Sequence, residues 1–364
     1  MPSARRPLVR TLLGATLVSL VPAGGLLIAP PSQAQTTSQA QTTSQAQTTS
    51  QAQTTTAGSR PPLLFGVSAA NRTQILEHET ALGRPMGGVR VFRRWGEPLF
   101  GPDLTWARDG GRSLFISIKS RRRDGSGISY RDLASAPAGS PLHADLLGQA
   151  AQVRAFGGTV YLTYQHEPEA DPTLGTGAEF AAAWRRLVRV YREAGVTNAR
   201  FVWTVTGHGF IRTDARSARH YWPGQDYVDR IGVDVYNFYR CSNPRGRWQS
   251  PAAKLAPALA FAGRHPTKPV VLMEWSSAED PGRPGRKGGW IADLSRLLRR
   301  PEYRQVVAVL QWSGRNHGPN RCPLDYLSST TSLAALRAMA ADPAFAAGVA
   351  RTRPSAPNRW SSPS

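Results

Sequence analysis

The chain has 364 residues, 45 of them basic and 24 acidic, which gives a formal net charge of +21. Only four of the basic residues are lysines. The arginines are scattered along the whole chain, without zinc-finger spacing, a recognition helix or an RNA-binding sheet motif. This scattered distribution argues against a nucleic-acid-binding protein. The net charge predicts at most adsorption to anionic cell-wall polymers.

The first 60 residues do not have the composition of a folded domain. Residues 1–34 combine a basic start, an apolar stretch and small residues before Gln35, the pattern of a secretory signal peptide cleaved after Ala34. Pro22 and Gly24 interrupt the apolar stretch, which argues against a membrane anchor. Residues 35–60 contain the polar repeat QTTSQA, which has nothing to bury and predicts a disordered linker. We therefore expect a secreted, extracellular protein.

Residues 61–348 predict one large domain, followed by a flexible Pro/Ser-rich tail at 349–364. Eight apolar segments have strand character, at 62–68, 89–95, 113–119, 158–165, 199–205, 230–237, 268–274 and 306–312. The clearest helical patterns lie at 141–156, 177–195, 290–300 and 332–341. Strands that are apolar throughout are typical of a parallel sheet covered on both faces. A single (β/α)8 TIM barrel is favoured over an open doubly wound sheet, because no glycine-rich phosphate loop follows the first strand.

Polar residues stand at the ends of several predicted strands, where a barrel of this kind carries its chemistry. Glu167 ends the fourth strand and Glu274 the seventh, so the two lie on opposite sides of the barrel mouth. Paired carboxylates suit glycoside cleavage, in which one protonates the leaving oxygen while the other attacks the anomeric carbon or activates water. Aromatic residues near strand ends offer stacking faces for sugar rings: Trp95, Tyr236, Trp275 and Trp312.

Other interpretations of these residues stay open. Each glutamate could simply pair with one of the many arginines, and an inactive barrel that only binds polysaccharide would have the same fold. A metal site formed by His166, Glu167, Glu169 and Asp171 is disfavoured. Adjacent strand residues point to opposite faces, so His166 and Glu167 should not reach one ion. We predict no metal and no cofactor.

Three stretches resemble glycoside hydrolase family 26, a retaining group of (β/α)8 barrels. They are TYQHEPE at 163–169, YWPGQDYVDRIGVDVYN at 221–237 and KPVVLMEWS at 268–276. The resemblance implies that Glu167 is the acid/base and Glu274 the nucleophile of a double displacement. It also implies that His166 holds the sugar or tunes the acid, that Tyr236 bonds to the nucleophile, and that Trp312 forms the floor of the subsite for the attacked sugar.

The resemblance implies a β-linked polysaccharide as substrate, with mannan the commonest in the family. Mannan-cleaving members continue the His-Glu pair with an asparagine and a tryptophan, whereas here the chain continues as PEADPTLGTG, without an aromatic residue before Phe180. Mixed-linkage glucan and β-1,3-xylan therefore remain open as substrates. Glu169, two positions beyond Glu167, is an alternative acid.

The two cysteines, Cys241 and Cys322, predict a disulfide, because an exported protein folds in an oxidising compartment. They follow the sixth and eighth predicted strands and should therefore lie above the same rim of the barrel. We expect a monomer that binds polysaccharide, without nucleic-acid partners and without membrane contact beyond the signal peptide.

Overall fold

The computed structural model describes residues 60–241, 243–314 and 322–346. The predicted signal peptide, nearly all of the predicted linker and the predicted tail lie outside the described residues. Within this part of the chain, no helix combines the length and the apolar character that crossing a bilayer requires.

Eight parallel strands close into a barrel in chain order, because β1 pairs with both β2 and β8. The strands are β1 (Leu64–Ser68), β2 (Gly88–Arg94), β3 (Ser113–Lys119), β4 (Val160–Tyr164), β5 (Ala199–Thr206), β6 (Arg230–Asn237), β7 (Val270–Ser277) and β8 (Val306–Gln311). All eight overlap the predicted segments. The predicted (β/α)8 TIM barrel is confirmed.

Helices lie around the outside of the barrel after every strand except β5, and two of them follow β3. They are α1 (Arg72–Leu82), α2 (Pro102–Asp109), α3 (Tyr130–Ser135), α4 (Pro141–Phe156), α5 (Gly177–Glu193), α6 (Pro251–Ala262), α7 (Arg286–Leu298) and α8 (Thr330–Ala341). The sequence pattern singles out α4, α5, α7 and α8. Clear end signals help at α4, where Ser140 caps the first turn and Gly157 ends the helix at a φ of 77°.

The strands separate two apolar cores, one inside the barrel and one between the strands and the helices. Side chains at alternate positions point into the barrel, and those between them point outward against the helices. In β2, for example, Val89 and Val91 belong to the outer core, and Arg90 lies on the inner side. The inner core is small and consists of Phe115, Val202, Val271, Met273, Ala308 and Leu310. Polar side chains that face inward near the ends of the strands therefore meet above this core.

Candidate active site

A cavity of about 770 Å³ opens at the carboxyl-terminal ends of the strands. Three kinds of side chain line it. The acidic ones are Glu167, Asp234 and Glu274; the basic ones are Lys119, His166, His208 and Lys254; and the aromatic ones are Phe92, Tyr236, Phe238 and Trp312. The three carboxylates come from β6, β7 and the tip of β4, and each offers an oxygen atom that lies within 4.8 Å of an oxygen of the others. The two glutamates predicted to meet across the barrel mouth are therefore brought together.

Glu274 reaches the cavity because of an irregularity in β7. Val233 of β6 pairs with Leu272, but the next residue, Asp234, pairs with Glu274, so Met273 is an extra residue in β7. A bulge of this kind interrupts the alternation of side chains and re-aims the residue that follows it. Met273 packs into the inner core, and Glu274 turns into the cavity directly after it.

The Glu274 carboxylate is held by two donors, Arg90 on β2 and Tyr236 on β6. Arg90 Nη1 donates to one oxygen at 2.8 Å, and the Tyr236 hydroxyl donates to the other at 2.5 Å. Arg90 is fully buried and is itself fixed by the carbonyl of Met273 at 2.9 Å and the hydroxyl of Ser117 at 3.1 Å. A buried guanidinium keeps its positive charge, so Glu274 faces a permanent cation.

Glu167 reaches the cavity by a different route. The chain leaves β4 through two residues with left-handed backbone conformation, Gln165 at a φ of 41° and Glu167 at a φ of 52°. This conformation is uncommon for residues other than glycine and is retained where surrounding contacts enforce it. Here Ser120 N donates to the Gln165 side chain at 2.8 Å, and Glu167 N donates to Thr204 O at 3.0 Å.

The twisted tip of β4 also places His166 in the same cavity as Glu167. The expectation that these neighbours point to opposite faces is wrong, because strand alternation ends at Tyr164 and the left-handed residues redirect the chain. His166 packs against Phe92, with 5.1 Å between ring centroids. Burial, with the positive charges of Arg90 and Lys119, holds the pKa of His166 well below its usual range, so the imidazole is neutral.

The acidic groups differ in their affinity for protons. Burial raises the pKa of Glu167 to about 8, and the negative charges of Glu274 and Glu169 add to this effect. Burial and the charge of Glu274 also raise the pKa of Asp234 well above its usual range. Oxygen atoms of Glu167 and Asp234 lie within 4.8 Å of each other. The cavity thus combines two carboxyl groups of raised pKa with a carboxylate that is bonded to a cation.

No protein-family model matches the chain. Endoglucanase H of Acetivibrio thermocellus is 28% identical over 179 residues, a match that covers 46% of this chain and 19% of that protein. The chain therefore spans about a fifth of the length of this curated relative.

Solved structures match over most of the barrel. A family 26 β-mannanase from Bacteroides ovatus has a TM-score of 0.55 and 17% identity, covering 78% of this chain and 90% of that one. A modular endo-β-1,4-mannanase from Cellulomonas fimi has a TM-score of 0.56 and 17% identity, and the match covers 78% of this chain and 71% of that one. The fold is that of glycoside hydrolase family 26. The resemblance inferred from three sequence stretches is thereby confirmed at the level of the fold.

Of the predicted sugar-binding residues, His166, Tyr236 and Trp312 line the cavity, but two other tryptophans do not. Trp275 is 1% exposed and stacks on Trp290 of α7, because the residue after Glu274 points out of the barrel. Trp95 is 2% exposed, and its indole N–H donates to Asp145 of α4 at 2.7 Å. Both belong to the outer core, and the structure does not bring them to the cavity.

Glu169, the alternative acid, also lies outside the cavity lining. One of its carboxylate oxygens accepts hydrogen bonds from the backbone N of Thr206 at 2.6 Å and from its hydroxyl at 2.7 Å. Its backbone carbonyl accepts from Arg216 at 2.7 Å. Glu169 therefore fastens the tip of β4 to β5, and its charge raises the pKa of Glu167.

Sequence reasoning did not single out Arg90, Asp234, Lys119 or Lys254. The sequence does mark Arg90 and Asp234 as unusual, because each is a charged residue inside an apolar strand. Such a buried charge needs a partner of opposite charge. Arg90 in GVRVF and Asp234 in GVDVY fit that description. Nη1 of Arg90 and Oδ1 of Asp234 lie 3.7 Å apart.

The predicted disulfide between Cys241 and Cys322 is confirmed, with 5.6 Å between the Cα atoms. It joins the loop after β6 to the segment after β8, on the rim that carries the cavity. Next to it, a small apolar cluster includes Tyr236 and Leu324, with Phe238 and Trp312 packed against it. The disulfide thus supports the aromatic side of the site.

Proposed function

We propose that the chain is a secreted retaining glycoside hydrolase that cleaves a β-linked polysaccharide, with mannan as the first candidate. The observation that carries this proposal is the carboxyl group of Glu167 with a raised pKa beside the cation-bound carboxylate of Glu274, their oxygens within 4.8 Å. The names of the similar proteins, an endoglucanase and several mannanases, support the same class of reaction.

In the proposed first step, a Glu274 oxygen attacks the anomeric carbon while the bond from that carbon to the leaving oxygen breaks. The proton of Glu167 moves to the leaving oxygen. In the second step, Glu167 takes a proton from water, the water oxygen bonds to the anomeric carbon, and Glu274 is released as a carboxylate. Each carboxyl group ends the cycle in its starting state.

The separation of the carboxyl groups supports retention of configuration. Retaining enzymes hold the two groups about 5–5.5 Å apart, whereas inverting enzymes leave about 6.5–9.5 Å for a water molecule. Glu167 and Glu274 have oxygens within 4.8 Å of each other, which is closer to the spacing of retaining enzymes than to that of inverting enzymes.

Other cavity residues have supporting roles in this proposal. The Tyr236 hydroxyl orients Glu274 and donates to it. Neutral His166 can donate to or accept from a sugar hydroxyl, and the Trp312 ring, set edge-on to Phe92 at 5.7 Å, offers an apolar face to the sugar.

The proposal is tested by trapping the glycosyl-enzyme. The protein is incubated with 2-deoxy-2-fluoro glycosides of mannose, glucose and xylose, digested, and analysed by mass spectrometry. We expect one sugar label on the peptide that contains Glu274, and we expect none on the Glu274→Gln variant. If the wild type binds mannan, mixed-linkage glucan or xylan but forms no label and cleaves none of them, the inactive polysaccharide-binding barrel is the correct interpretation.

Export is proposed from the sequence pattern of residues 1–34 alone. Amino-terminal sequencing of the protein recovered from the medium of a secreting host is expected to begin at Gln35. A protein that stays with the cells and begins at Met1 would contradict it.

A further inference from the structure

A second cavity lies beside the candidate active site, in the loops after β6 and β7. It has a volume of about 690 Å³ and is lined by residues between 239 and 248 and between 280 and 286. Tyr239 lines this cavity and Phe238 lines the catalytic one, so the two walls are adjacent in the chain. A polymer lying in the catalytic cavity would therefore pass close to the second one.

The loop that forms this second cavity has a defined shape. The rings of Tyr239 and Trp248 pack edge to face at 5.5 Å, and the Arg286 guanidinium lies 4.3 Å from the Trp248 ring. At Gly246 a side chain would lie 2.1 Å from the carbonyl oxygen of Tyr239, so the turn requires glycine. The disulfide at Cys241 anchors the same loop. The cavity is therefore a built feature.

The charge of the second cavity is strongly positive. Its lining includes a single carboxylate, Asp280, and five arginines: Arg240, Arg245, Arg247, Arg283 and Arg286. Asp280 is already paired with Arg286 at 2.7 Å. Among the described residues, the guanidinium groups of Arg245, Arg247 and Arg283 have no hydrogen-bonded or ion-paired partner. We call this the arginine cavity.

Scattered surface arginines need no explanation in a chain with this composition, but arginines that converge on one concavity repel one another. A concave surface of one sign focuses the field and attracts a ligand of the opposite sign. The guanidinium fork matches a carboxylate in a two-point hydrogen bond. The aromatic ring of Tyr239 beside the arginines adds a surface suited to a sugar ring.

We propose that the arginine cavity binds carboxylate groups carried by the polysaccharide, so that the substrate is an acidic β-glycan with uronic acid groups. This inference rests on the proposed hydrolase function and names its substrate class. The carboxylate would sit in the arginine cavity while the neutral backbone of the same chain occupies the catalytic cavity.

The experiment uses matched pairs of polymers. A xylan and a mannan that carry glucuronic acid groups are each compared with their carboxyl-reduced forms, in which the acid is converted to a neutral sugar. The readout is the ratio of kcat/KM between the acidic and the reduced polymer at low and high salt. The variant is Arg245→Gln/Arg247→Gln/Arg283→Gln, which leaves the stacked Arg286 in place.

The matched control is Arg200→Gln/Arg264→Gln/Arg304→Gln. These three exposed arginines lie near the amino-terminal ends of the barrel strands, away from both cavities, and the same charge is removed. We expect the wild type and the control to prefer the acidic polymer, and we expect the preference to fall about tenfold in the variant and in high salt.

Failure of the inference and failure of the hydrolase proposal give different results. Equal cleavage of acidic and reduced polymers by the wild type overturns the acidic-substrate inference and leaves the hydrolase intact. An equal loss of preference in the variant and the control also overturns it, because the effect would then come from net charge alone. Absence of any cleavage, together with absence of a fluorosugar label on Glu274, rejects the hydrolase itself.

Discussion

The tips of β4 and β7 each place a glutamate in the same cavity, but the two glutamates have different chemical surroundings. Glu274 sits in a strand, between a buried arginine and a tyrosine hydroxyl. Glu167 sits on a left-handed turn, where burial and the negative charges of Glu274 and Glu169 raise its pKa. Two glutamates whose oxygens lie within 4.8 Å of each other thus have different neighbours, which raise the pKa of Glu167 and place a cation beside Glu274.

Under the proposed mechanism, this difference separates the acid from the nucleophile. A nucleophile must be ionised before the reaction begins, and an acid must carry a proton. Arg90 supplies positive charge to the β7 side at 2.8 Å, and burial with nearby negative charge keeps the proton on the β4 side. The following predictions test whether this division is real.

The largest effect is expected from Glu167→Gln. It removes the proton donor, so we expect kcat/KM on polysaccharide to fall by about 10²–10⁴-fold. An aryl glycoside with a dinitrophenolate leaving group needs no proton, and its bond-breaking step should be nearly unaffected. Glu274→Gln, the control, should abolish cleavage of both substrates. If Glu167→Gln loses the same factor in activity on both substrates, Glu167 is not the proton donor and the assigned roles are wrong.

A smaller effect is expected from Tyr236→Phe, which removes one of the two donors to Glu274. A hydrogen bond to a charged group contributes about 1.5–3 kcal/mol, so we expect kcat to fall by roughly tenfold to a hundredfold. Circular dichroism should show an unchanged fold. Unchanged kcat with a higher KM would mean that Tyr236 contacts the sugar and does not act on Glu274.

The pH profile tests the β4 side alone. Because Glu167 must be protonated and its pKa is raised to about 8, we expect kcat/KM to fall as the pH rises through that value. Glu169→Gln removes one of the charges that raise this pKa, so the alkaline limb should move to lower pH. Glu193→Gln, an exposed change at the end of α5, is the control and should leave the limb in place. An unmoved limb in Glu169→Gln would assign it to another group.

The smallest effect is expected in thermal stability. A carboxyl group can have a higher pKa in the folded than in the unfolded state, here about 8 against about 4.5. The folded protein then loses stability as the pH rises between these two values. Glu167→Gln should therefore raise Tm by a few degrees relative to the wild type at pH 8, and by less at pH 5. Glu274→Gln should lower Tm, because it deprives buried Arg90 of its closest carboxylate. Equal changes of Tm in Glu167→Gln and Glu274→Gln would contradict the difference in surroundings between the two glutamates.

Much of the architecture follows from local patterns in the chain. Eight apolar segments predict the strands, and the positions of Glu167 and Glu274 at two of their ends predict where acidic groups meet. The cysteine pair predicts the bond between Cys241 and Cys322. These features depend on the period of a strand, the size of a βα unit and the redox chemistry of thiols, and all three can be read along the sequence.

Side-chain direction at the rim could not be predicted in the same way. Trp275 and Trp95 look like sugar platforms in the sequence, yet both face the helices. His166 and Glu167 look like neighbours on opposite faces, yet both enter the cavity. The bulge at Met273 and the left-handed residues at the β4 tip depend on pairing with adjacent strands, which no local period reveals.

The sequence by itself determined the barrel, its strand order and the two candidate glutamates, because periodicity and spacing are properties of nearby residues. Only the tertiary structure decided which glutamate holds a proton and which faces a cation. Arg90 and Glu274 are 184 residues apart in the chain and 2.8 Å apart in space. Charge states depend on burial and on such distant partners, and these exist only once the barrel has closed.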